Sequence, residues 1–465
     1  MRRFLAVIFG KLTYSLIGLL KLGSGATWPG HIALKIYPQF VRSYRDKFSK
    51  VILVSGTNGK TTTAKLITKT FADSGFSVIY NPSGANLLNG IASSLVRSFP
   101  LFEKNIDGKP VGVFEVDEGA LPMVCENLIP DGVLLLNLFR DQLDRYAELD
   151  MTAEKWLTAL KKLPKSTKVI LGADDPLVAF LGRELPLHVS YFGISSVETC
   201  DSEESGDSSR CPSCGADLKY SPKFYSHIGI WSCLKCKNHR PDLDYLGEVT
   251  KDSSLSLSEE GKIVLHDQKM PLSGFYNFEN VTAAFSVCMQ FGISPKIFST
   301  ALSTLSPAFG RQEEFLIEGK MVKILLSKNP TGFNENLKIL HEVTCMGEIL
   351  SRPYKKGKDV VLFVLNDGIA DGRDVSWIWD VSSTLFQEVY KRYSIVVSGT
   401  RYLDMALRIK HATSENKINL SVYEKLNEGI LRGLGGVGEG GTLYVIATYT
   451  AMLEVRKILV GRRIM

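Results

Sequence analysis

Short apolar runs alternate with amphipathic stretches in the first part of the chain. The apolar runs are rich in β-branched residues and are short enough to be strands, whereas the stretches between them follow the helical period. These strand candidates are Val51–Val54, Ser77–Tyr80, Val111–Val116, Gly132–Leu136 and Lys168–Leu171. Strands that alternate with helices are typical of a mostly parallel sheet with helices on both faces. We therefore predict the α/β class.

A second alternating pattern begins near Met321. Its strand candidates are Val360–Leu365, Ser394–Ser398 and Leu443–Ile446. The boundary between the two patterns falls around Gly310–Glu314. The chain is thus predicted to have three parts: an N-terminal segment (1–45), a central α/β domain (46–312) with an insert at about 205–240, and a smaller Rossmann-like α/β domain (313–465).

The N-terminal segment predicts a basic amphipathic helix. Apolar residues recur at helical spacing among Arg2, Arg3, Lys11 and Lys21. Lys11 interrupts the apolar run and no clear cleavage site follows, so neither a spanning helix nor a signal peptide is favoured. We expect a cytoplasmic protein whose first helix packs on its own body; peripheral contact with the inner face of the membrane is the alternative.

Composition narrows the class of protein further. The chain has 465 residues, of which 45% are hydrophobic and 22% charged, which excludes a disordered or low-complexity protein. The 55 Lys and Arg residues against 49 Asp and Glu residues give a net charge of +6. This charge is too diffuse to indicate nucleic acid, so no nucleic-acid partner is predicted, but it is compatible with an anionic ligand or a membrane surface.

A glycine-containing loop lies between the first strand and a helical stretch. Its residues are Gly56, Thr57, Asn58, Gly59, Lys60, Thr61 and Thr62. Glycines let backbone N–H groups face phosphates at a helix N-terminus, a lysine neutralises phosphate charge, and the Thr61 hydroxyl is placed to reach Mg²⁺. A glycine turn with an accidental lysine is the alternative, which the preceding strand and following helix disfavour. The loop therefore predicts a polyphosphate site.

Three acidic residues, Glu115, Asp117 and Glu118, lie at the end of the strand at 111–116. Strand alternation puts Glu115 and Asp117 on one face, and Glu115 is the candidate for a magnesium site with Thr61. Glu118 fits a solvated acidic turn best.

Two Cys-x-x-Cys pairs mark the insert. Cys211 and Cys214 are separated by 18 residues from Cys233 and Cys236, a spacing typical of a zinc ribbon. Four thiolates leave no open coordination position, so the predicted zinc is structural. Disulfides or cysteines without a function are the alternative. The eight cysteines of so long a chain do not form a disulfide scaffold.

Together these motifs resemble the Mur ligase superfamily, whose members activate a carboxylate with ATP as an acyl phosphate and then form an amide. Matching segments are the phosphate loop, Asn137–Arg145, Asp174–Pro176, Gly274–Asn280 and Gly310–Arg311. The resemblance implies ATP and Mg²⁺ as cofactors, and it adds Asn277 and Arg311 to the ATP-binding residues. Gln142 and Tyr276 stand where the family usually carries histidines.

The chain resembles the MurT branch of that superfamily more closely than it resembles the general pattern of the superfamily. The inserted cysteine pairs, Lys328–Asn334, Asn366–Asp380 and Thr448–Leu453 resemble segments of that branch. The resemblance implies amidation of the D-glutamate α-carboxylate of the lipid II stem peptide to D-isoglutamine, at the membrane face. The ammonia would come from a GatD-type glutamine amidotransferase that pairs with this chain as a heterodimer. Asp374 would be a catalytic residue that orients the partner's histidine. Taken alone, the aspartates of this segment would be turn formers and helix caps.

Two rival functions stay open from the sequence. The first is an amino-acid-adding or folylpolyglutamate-type ligase, which belongs to the same class of enzyme but acts on a different substrate. A nucleotide-binding regulatory or scaffold protein is a different class, and Lys60, Thr61 and Glu115 favour hydrolysis over it without excluding it.

Overall fold

The computed structural model describes residues 1–461 except 21–24, 82–83, 102–107, 140–145, 197–209, 251, 307–310, 346–358, 369 and 414–419. Two large sheets dominate it, one formed before residue 270 and one after residue 310. A separate two-stranded hairpin lies within the first part.

The first sheet has nine strands in the order β11-β10-β9-β6-β5-β4-β1-β3-β2. Its strands are β1 Lys50–Ser55, β2 Val78–Tyr80, β3 Val111–Glu115, β4 Gly132–Leu135, β5 Lys168–Gly172, β6 His188–Ser196, β9 Tyr245–Val249, β10 Ser254–Glu259 and β11 Lys262–Lys269. In the order of the sheet, all neighbouring strands from β2 to β9 pair in parallel. Strand β10 pairs antiparallel with both β9 and β11. Central strands are buried on both faces, which explains why they appear in the sequence as continuous apolar runs.

Helices cover both faces of this sheet. They are α1 Arg2–Leu20, α2 Trp28–Ile36, α3 Lys60–Asp73, α4 Leu88–Ser98, α5 Leu121–Leu128, α6 Tyr146–Leu160, α7 Pro176–Glu184, α8 Tyr276–Gln290 and α9 Pro295–Ser303. Two apolar cores result, one on each face. Residues of α2 and α4 belong to the first core, and residues of α3 and α8 belong to the second.

The insert contributes the hairpin of β7 Leu218–Tyr225 and β8 Ile228–Cys233. The hairpin carries Cys233 at its end, and the other three cysteines of the two pairs lie in the adjoining loops.

The second sheet has six strands in the order β12-β13-β17-β14-β15-β16. They are β12 Arg311–Ile317, β13 Lys320–Leu326, β14 Val360–Val364, β15 Ser394–Ser398, β16 Leu420–Val422 and β17 Thr442–Ala447, with helices α10 Pro330–Cys345, α11 Ser383–Arg392, α12 Tyr402–Ala412, α13 Leu426–Gly436 and α14 Tyr449–Val460. All neighbours except β12 and β13 pair in parallel, and a core lies on each face.

All strands predicted from the sequence are present, and the α/β class is confirmed. Strand β9, at the end of the parallel part, and the antiparallel strands β10 and β11 were not predicted, because they lack the continuous apolar runs of the central strands. The division into three parts stays a prediction. Its boundary between residues 312 and 313 lies within β12.

Candidate active site

The phosphate loop joins β1 to α3 at the carboxyl edge of the first sheet. Gly56 and Gly59 have φ angles of 137° and 88°, which L side chains rarely adopt. A Cβ on Gly59 would also collide with Oδ1 of Asn280 on α8. The loop is therefore held in a conformation that only glycine permits, and its backbone leads directly into the N-terminus of α3, where a phosphate is favoured.

Lys60 lies buried at the first position of α3. Its Nζ donates to the carbonyl oxygens of Gly56 and Thr57, the latter at 3.0 Å, and to Oε2 of Glu118 at 3.1 Å. Burial by itself would lower the pKa of Lys60, but the nearby carboxylates of Glu118, Glu115 and Asp117 outweigh it and raise the pKa. Lys60 therefore stays protonated at neutral pH, although it is buried at the phosphate loop.

Acidic residues at the end of β3 face this cation. Glu115 is buried, and it lines the same cleft as Thr61, Asp117 and Glu118. Burial, then the charge of Glu118, raise the pKa of Asp117. The interpretation of Glu118 as a solvated acidic turn is wrong, because its side chain is mostly buried against Lys60. Oxygen ligands and a hydroxyl in one cleft are the donor set that Mg²⁺ prefers.

The cleft is shared between the two sheets. Residues that follow β13 form its far wall, and they include Lys328, Asn329, Thr331 and Glu335. The Nδ2 group of Asn329 donates to Oδ1 of Asn58 in the phosphate loop at 3.3 Å. In the sequence, this segment was recognised only by its resemblance to the MurT branch. Its position opposite the phosphate loop follows from the fold.

The remaining predicted ATP-binding residues take different positions. Thr57, Asn58, Gly59 and Thr61 line the cleft with Lys60, and Thr62 is buried in α3. Asn277, at the start of α8, accepts a hydrogen bond from Asn280 and donates one to the Ser273 carbonyl. Arg311 begins β12, and its side chain lies outside the described residues, as do Gly310 and residues 140–145 with Gln142.

The other departure from the family pattern, Tyr276, does line the cleft. Its hydroxyl oxygen accepts a hydrogen bond from Nε2 of Gln312 at 3.3 Å. Gln312 also accepts from the Ser273 N–H at 2.8 Å, so it holds the connection between α8 and β12.

The four cysteines of the insert converge. All four sulfur atoms lie within 4.8 Å of one another, and the Cys211–Cys236 and Cys214–Cys233 pairs are separated by 3.5 and 3.6 Å. These separations are far longer than a disulfide bond of about 2.05 Å and match the edge of a tetrahedron with metal–sulfur bonds of about 2.3 Å. The cluster can therefore hold a metal ion.

The hairpin of the insert is anchored beside the cleft by buried polar contacts. His227 Nε2 lies 3.1 Å from Oδ2 of Asp175, and Arg240 pairs with Asp174 at 2.5 Å. Asp175 also caps α7 by accepting from the Leu177 and Val178 N–H groups. Burial raises the pKa of Asp174 to about 6, although Arg240 opposes the shift.

Tyr225 connects this hairpin to the active-site cleft. Its ring lines the cleft, and its hydroxyl donates to Oε2 of Glu279 on α8. Burial, then the charge of Asp174, raise the pKa of Glu279 to about 8. Sequence reasoning missed Glu279 because its burial depends on a hairpin inserted more than fifty residues earlier.

Asp374 lies elsewhere, on the loop after β14. It is exposed, and its Oδ1 accepts from the Ser376 N–H at 2.8 Å. Hydrogen bonds from Ser376 lower the pKa of Asp374, so it is a carboxylate at neutral pH. Asp367 and Asp371 instead bind Thr400 and the Thr450 N–H. Asp374 is thus an exposed aspartate of this loop that carries a negative charge.

Comparison with known proteins agrees with this geometry. The Mur ligase middle domain family matches residues 54–213. A pseudomurein peptide ligase type C from Methanothermus fervidus has the same fold, with a TM-score of 0.65 and 19% identity over 91% of this chain and 81% of its own. Fold, phosphate loop and cleft together define an ATP-dependent ligase of the Mur class.

The second half of the chain gives the particular family. The MurT ligase C-terminal family matches residues 326–452. Lipid II isoglutaminyl synthase (glutamine-hydrolyzing) subunit MurT from Streptococcus pneumoniae is 31% identical, over 96% of this chain and 95% of its own. The subunit of the same name from Staphylococcus aureus strain COL is 32% identical over 84% of each chain. The chain belongs to the MurT family.

The buried carboxyl group of Glu279 predicts a specific pH dependence. Its pKa is raised from 4.5, the ordinary value of a glutamate, to about 8 in the folded protein, so between these values the folded state keeps a proton that the unfolded state releases. The free energy of unfolding should therefore fall as pH rises through this window. Glu279→Gln removes that titration and keeps an acceptor for Tyr225. Its stability relative to wild type should increase from about pH 5 to about pH 8, by about 1–3 kcal/mol.

Urea unfolding at several pH values measures this difference. The control is Glu126→Gln, a carboxyl-to-amide change at an exposed position, which should leave the pH profile unchanged. A Glu279→Gln profile parallel to that of wild type would show that Glu279 is ionised in the folded protein.

Proposed function

We propose that this chain is the ATP-consuming subunit of a lipid II isoglutaminyl synthase. In the proposed reaction, an oxygen of the D-glutamate α-carboxylate in the stem peptide attacks the γ-phosphorus of ATP, and ADP leaves. Ammonia then attacks the carbonyl carbon of the acyl phosphate, the bond to the phosphate oxygen breaks, and D-isoglutamine and phosphate are released. The observation that carries this function is full-length similarity to named MurT subunits in a chain whose phosphate-loop cleft is intact.

The chain's residues supply the positioning and the charge that the first step needs. The backbone of residues 56–59 and the N-terminus of α3 receive the phosphates. Lys60 offsets negative charge as it moves from the γ-phosphoryl group to ADP. Asn329 contacts Asn58, so the second domain is in place to bring the carboxylate substrate against the phosphate loop.

Magnesium fits the oxygen donors of the cleft. Thr61 and Glu115 are the residues that would hold it, with Asp117 beside them. When bound, Mg²⁺ shields the phosphate oxygens from the attacking carboxylate. The acidic residues also keep Lys60 protonated, so the cleft presents a cation to the phosphates throughout the neutral pH range.

The second step needs a source of ammonia. The named relatives are subunits of glutamine-hydrolysing synthases, and a GatD-type glutamine amidotransferase is the partner we propose. Asp374 is exposed, ionised and held by Ser376, as a carboxylate that reaches into a partner must be. We assign it the role of orienting the partner's catalytic histidine, as the third member of a triad does.

The cysteine cluster is proposed to hold a structural zinc ion. Cys211, Cys214, Cys233 and Cys236 would fill all four positions, so the metal would stabilise the insert and take no part in the reaction. Because Tyr225 of the same hairpin lines the cleft, the metal would indirectly support one wall of the nucleotide site.

Two other functions are less well supported. An amino-acid-adding ligase is disfavoured by the MurT C-terminal family match, and a regulatory nucleotide-binding protein by the complete set of Lys60, Thr61 and Glu115 in one cleft. Phosphate release that depends on lipid II, glutamine and the partner subunit would separate these possibilities from amidation.

Lys60→Met should abolish ATP turnover. The change keeps the aliphatic volume and removes the charge, so the transition state loses its main protein cation, at a cost of at least about 10²-fold in rate. Lys69→Met is the control, because Lys69 is on the same helix but pairs with Asp73 at the surface. Phosphate release by the complex is the assay, with melting temperature as the check on folding. Near wild-type turnover by folded Lys60→Met would disprove the assignment of the phosphate loop.

Asp374→Asn should reduce glutamine-dependent amidation strongly and leave ammonia-dependent amidation largely intact. The amide oxygen can still accept from Ser376, so the loop is preserved, while loss of a triad carboxylate costs up to about 10⁴-fold. Asp404→Asn, at a surface aspartate paired with Arg401, is the control. Mass spectrometry of the stem peptide measures both activities. Failure of ammonia to restore activity would place Asp374 in the ligase reaction, and unchanged glutamine use would leave it a loop residue.

Purified protein should contain about one zinc ion per chain. Cys233→Ser should lose the zinc, lower the melting temperature and weaken ATP binding, because folding of the insert is coupled to metal binding. Cys125→Ser, at a buried cysteine outside the cluster, should keep the zinc. Elemental analysis that finds no zinc in protein purified without chelators would refute the proposal.

A further inference from the structure

Helix α1 has two apolar faces. Ala6, Val7 and Gly10 are buried against the body of the protein. On the opposite side, Leu12, Leu16 and Leu19 are 58%, 55% and 79% exposed, and Phe4, Leu5 and Phe9 are also exposed there. Helical spacing places these six residues on one side, which carries no charged residue. A surface helix normally turns its polar face to the solvent. The exposed apolar face of α1 therefore indicates contact with another apolar surface.

The inner face fixes α1 flat on the protein. A Cβ on Gly10 would lie 2.9 Å from Val96 of α4 and 3.2 Å from the Pro29 carbonyl of α2. The guanidinium groups of Arg3 and Arg97 stack on Tyr44 and Tyr14, at 4.8 and 5.0 Å from the ring centres. The helix therefore lies along the body, with its outer face exposed along its whole length.

The charged residues of the N-terminal segment are all basic. Residues 1–45 contain no Asp or Glu and seven basic residues: Arg2, Arg3, Lys11, Lys21, Lys35, Arg42 and Arg45. Trp28, at the start of α2, is 63% exposed beside α1. An apolar stripe with basic borders and an exposed tryptophan is typical of a helix that lies in the interface of an anionic bilayer.

From these features we propose that the outer face of α1, with Trp28, docks the protein onto an anionic lipid bilayer and lies parallel to its surface. A second copy of the chain is disfavoured as the occupant, because a twofold contact would place two uniformly basic borders against each other. Among the described residues, only α1 is long and apolar enough to span a membrane. Spanning would, however, require its packed face to leave α2 and α4.

The proposal extends the proposed function, since an enzyme docked on the bilayer would meet a lipid-linked substrate in the plane of the membrane. It is testable without that substrate. Amidation of detergent-solubilised lipid II needs no bilayer, so failure of the docking surface and failure of the proposed function are distinguishable.

Sedimentation of the full-length protein with vesicles tests the docking surface. Wild type should bind phosphatidylcholine vesicles that contain phosphatidylglycerol, and bind pure phosphatidylcholine vesicles more weakly. The triple variant Leu12→Gln/Leu16→Gln/Leu19→Gln should bind anionic vesicles on the order of 100-fold more weakly. The control Ile263→Gln/Leu316→Gln/Leu431→Gln changes three exposed apolar residues far along the chain and should bind as wild type does. Unchanged melting temperature and ATP turnover verify that both variants are folded.

Three results would overturn the proposal. One is a triple variant that binds anionic vesicles as tightly as wild type. Another is a concentration-dependent dimer in analytical ultracentrifugation that the triple variant abolishes, without vesicle binding by wild type. The third is vesicle-bound protein that resists extraction with alkaline carbonate, since that behaviour belongs to a spanning helix.

Discussion

The buried ammonium group of Lys60 is the charge around which the active site is organised. Removing a cation from water is costly unless carboxylates and carbonyl groups surround it, and Lys60 has both, from Glu118 and from the Gly56 and Thr57 carbonyls. These contacts fix the phosphate loop against the end of β3. A phosphate that binds Lys60 must compete with Glu118, so nucleotide binding and the arrangement of the acidic residues are coupled.

The position of the cleft follows from the parallel strands. Strands β1 and β3 pair in parallel, so their carboxyl ends place the phosphate loop and Glu115 at one edge of the first sheet. Strand β13 of the second sheet ends at Leu326, which delivers Lys328 and Asn329 to the opposite wall. An active site between two rigid sheets suits a reaction that must hold a nucleotide and a separate carboxylate in line.

The cysteine insert belongs structurally to this site although its cysteines lie outside the cleft lining. Its hairpin contributes Tyr225 to the cleft and is anchored through His227 and Arg240 to the aspartates that follow β5. Such buried polar networks tolerate little displacement, because each lost partner leaves a desolvated group. The insert therefore restrains α8 through Glu279, and α8 in turn approaches the phosphate loop through Asn280.

The sequence by itself determined the α/β class, the predicted strands, the phosphate loop and the cysteine cluster. These features depend on local patterns: apolar runs, glycines at positive φ, and cysteines at fixed spacing. Only the tertiary structure decided that Glu118 pairs with Lys60, that Glu279 is buried beneath Tyr225, and that the outer face of α1 is apolar and exposed. The reason is physical: burial and charge compensation depend on residues far apart in the chain, whose approach no local pattern encodes.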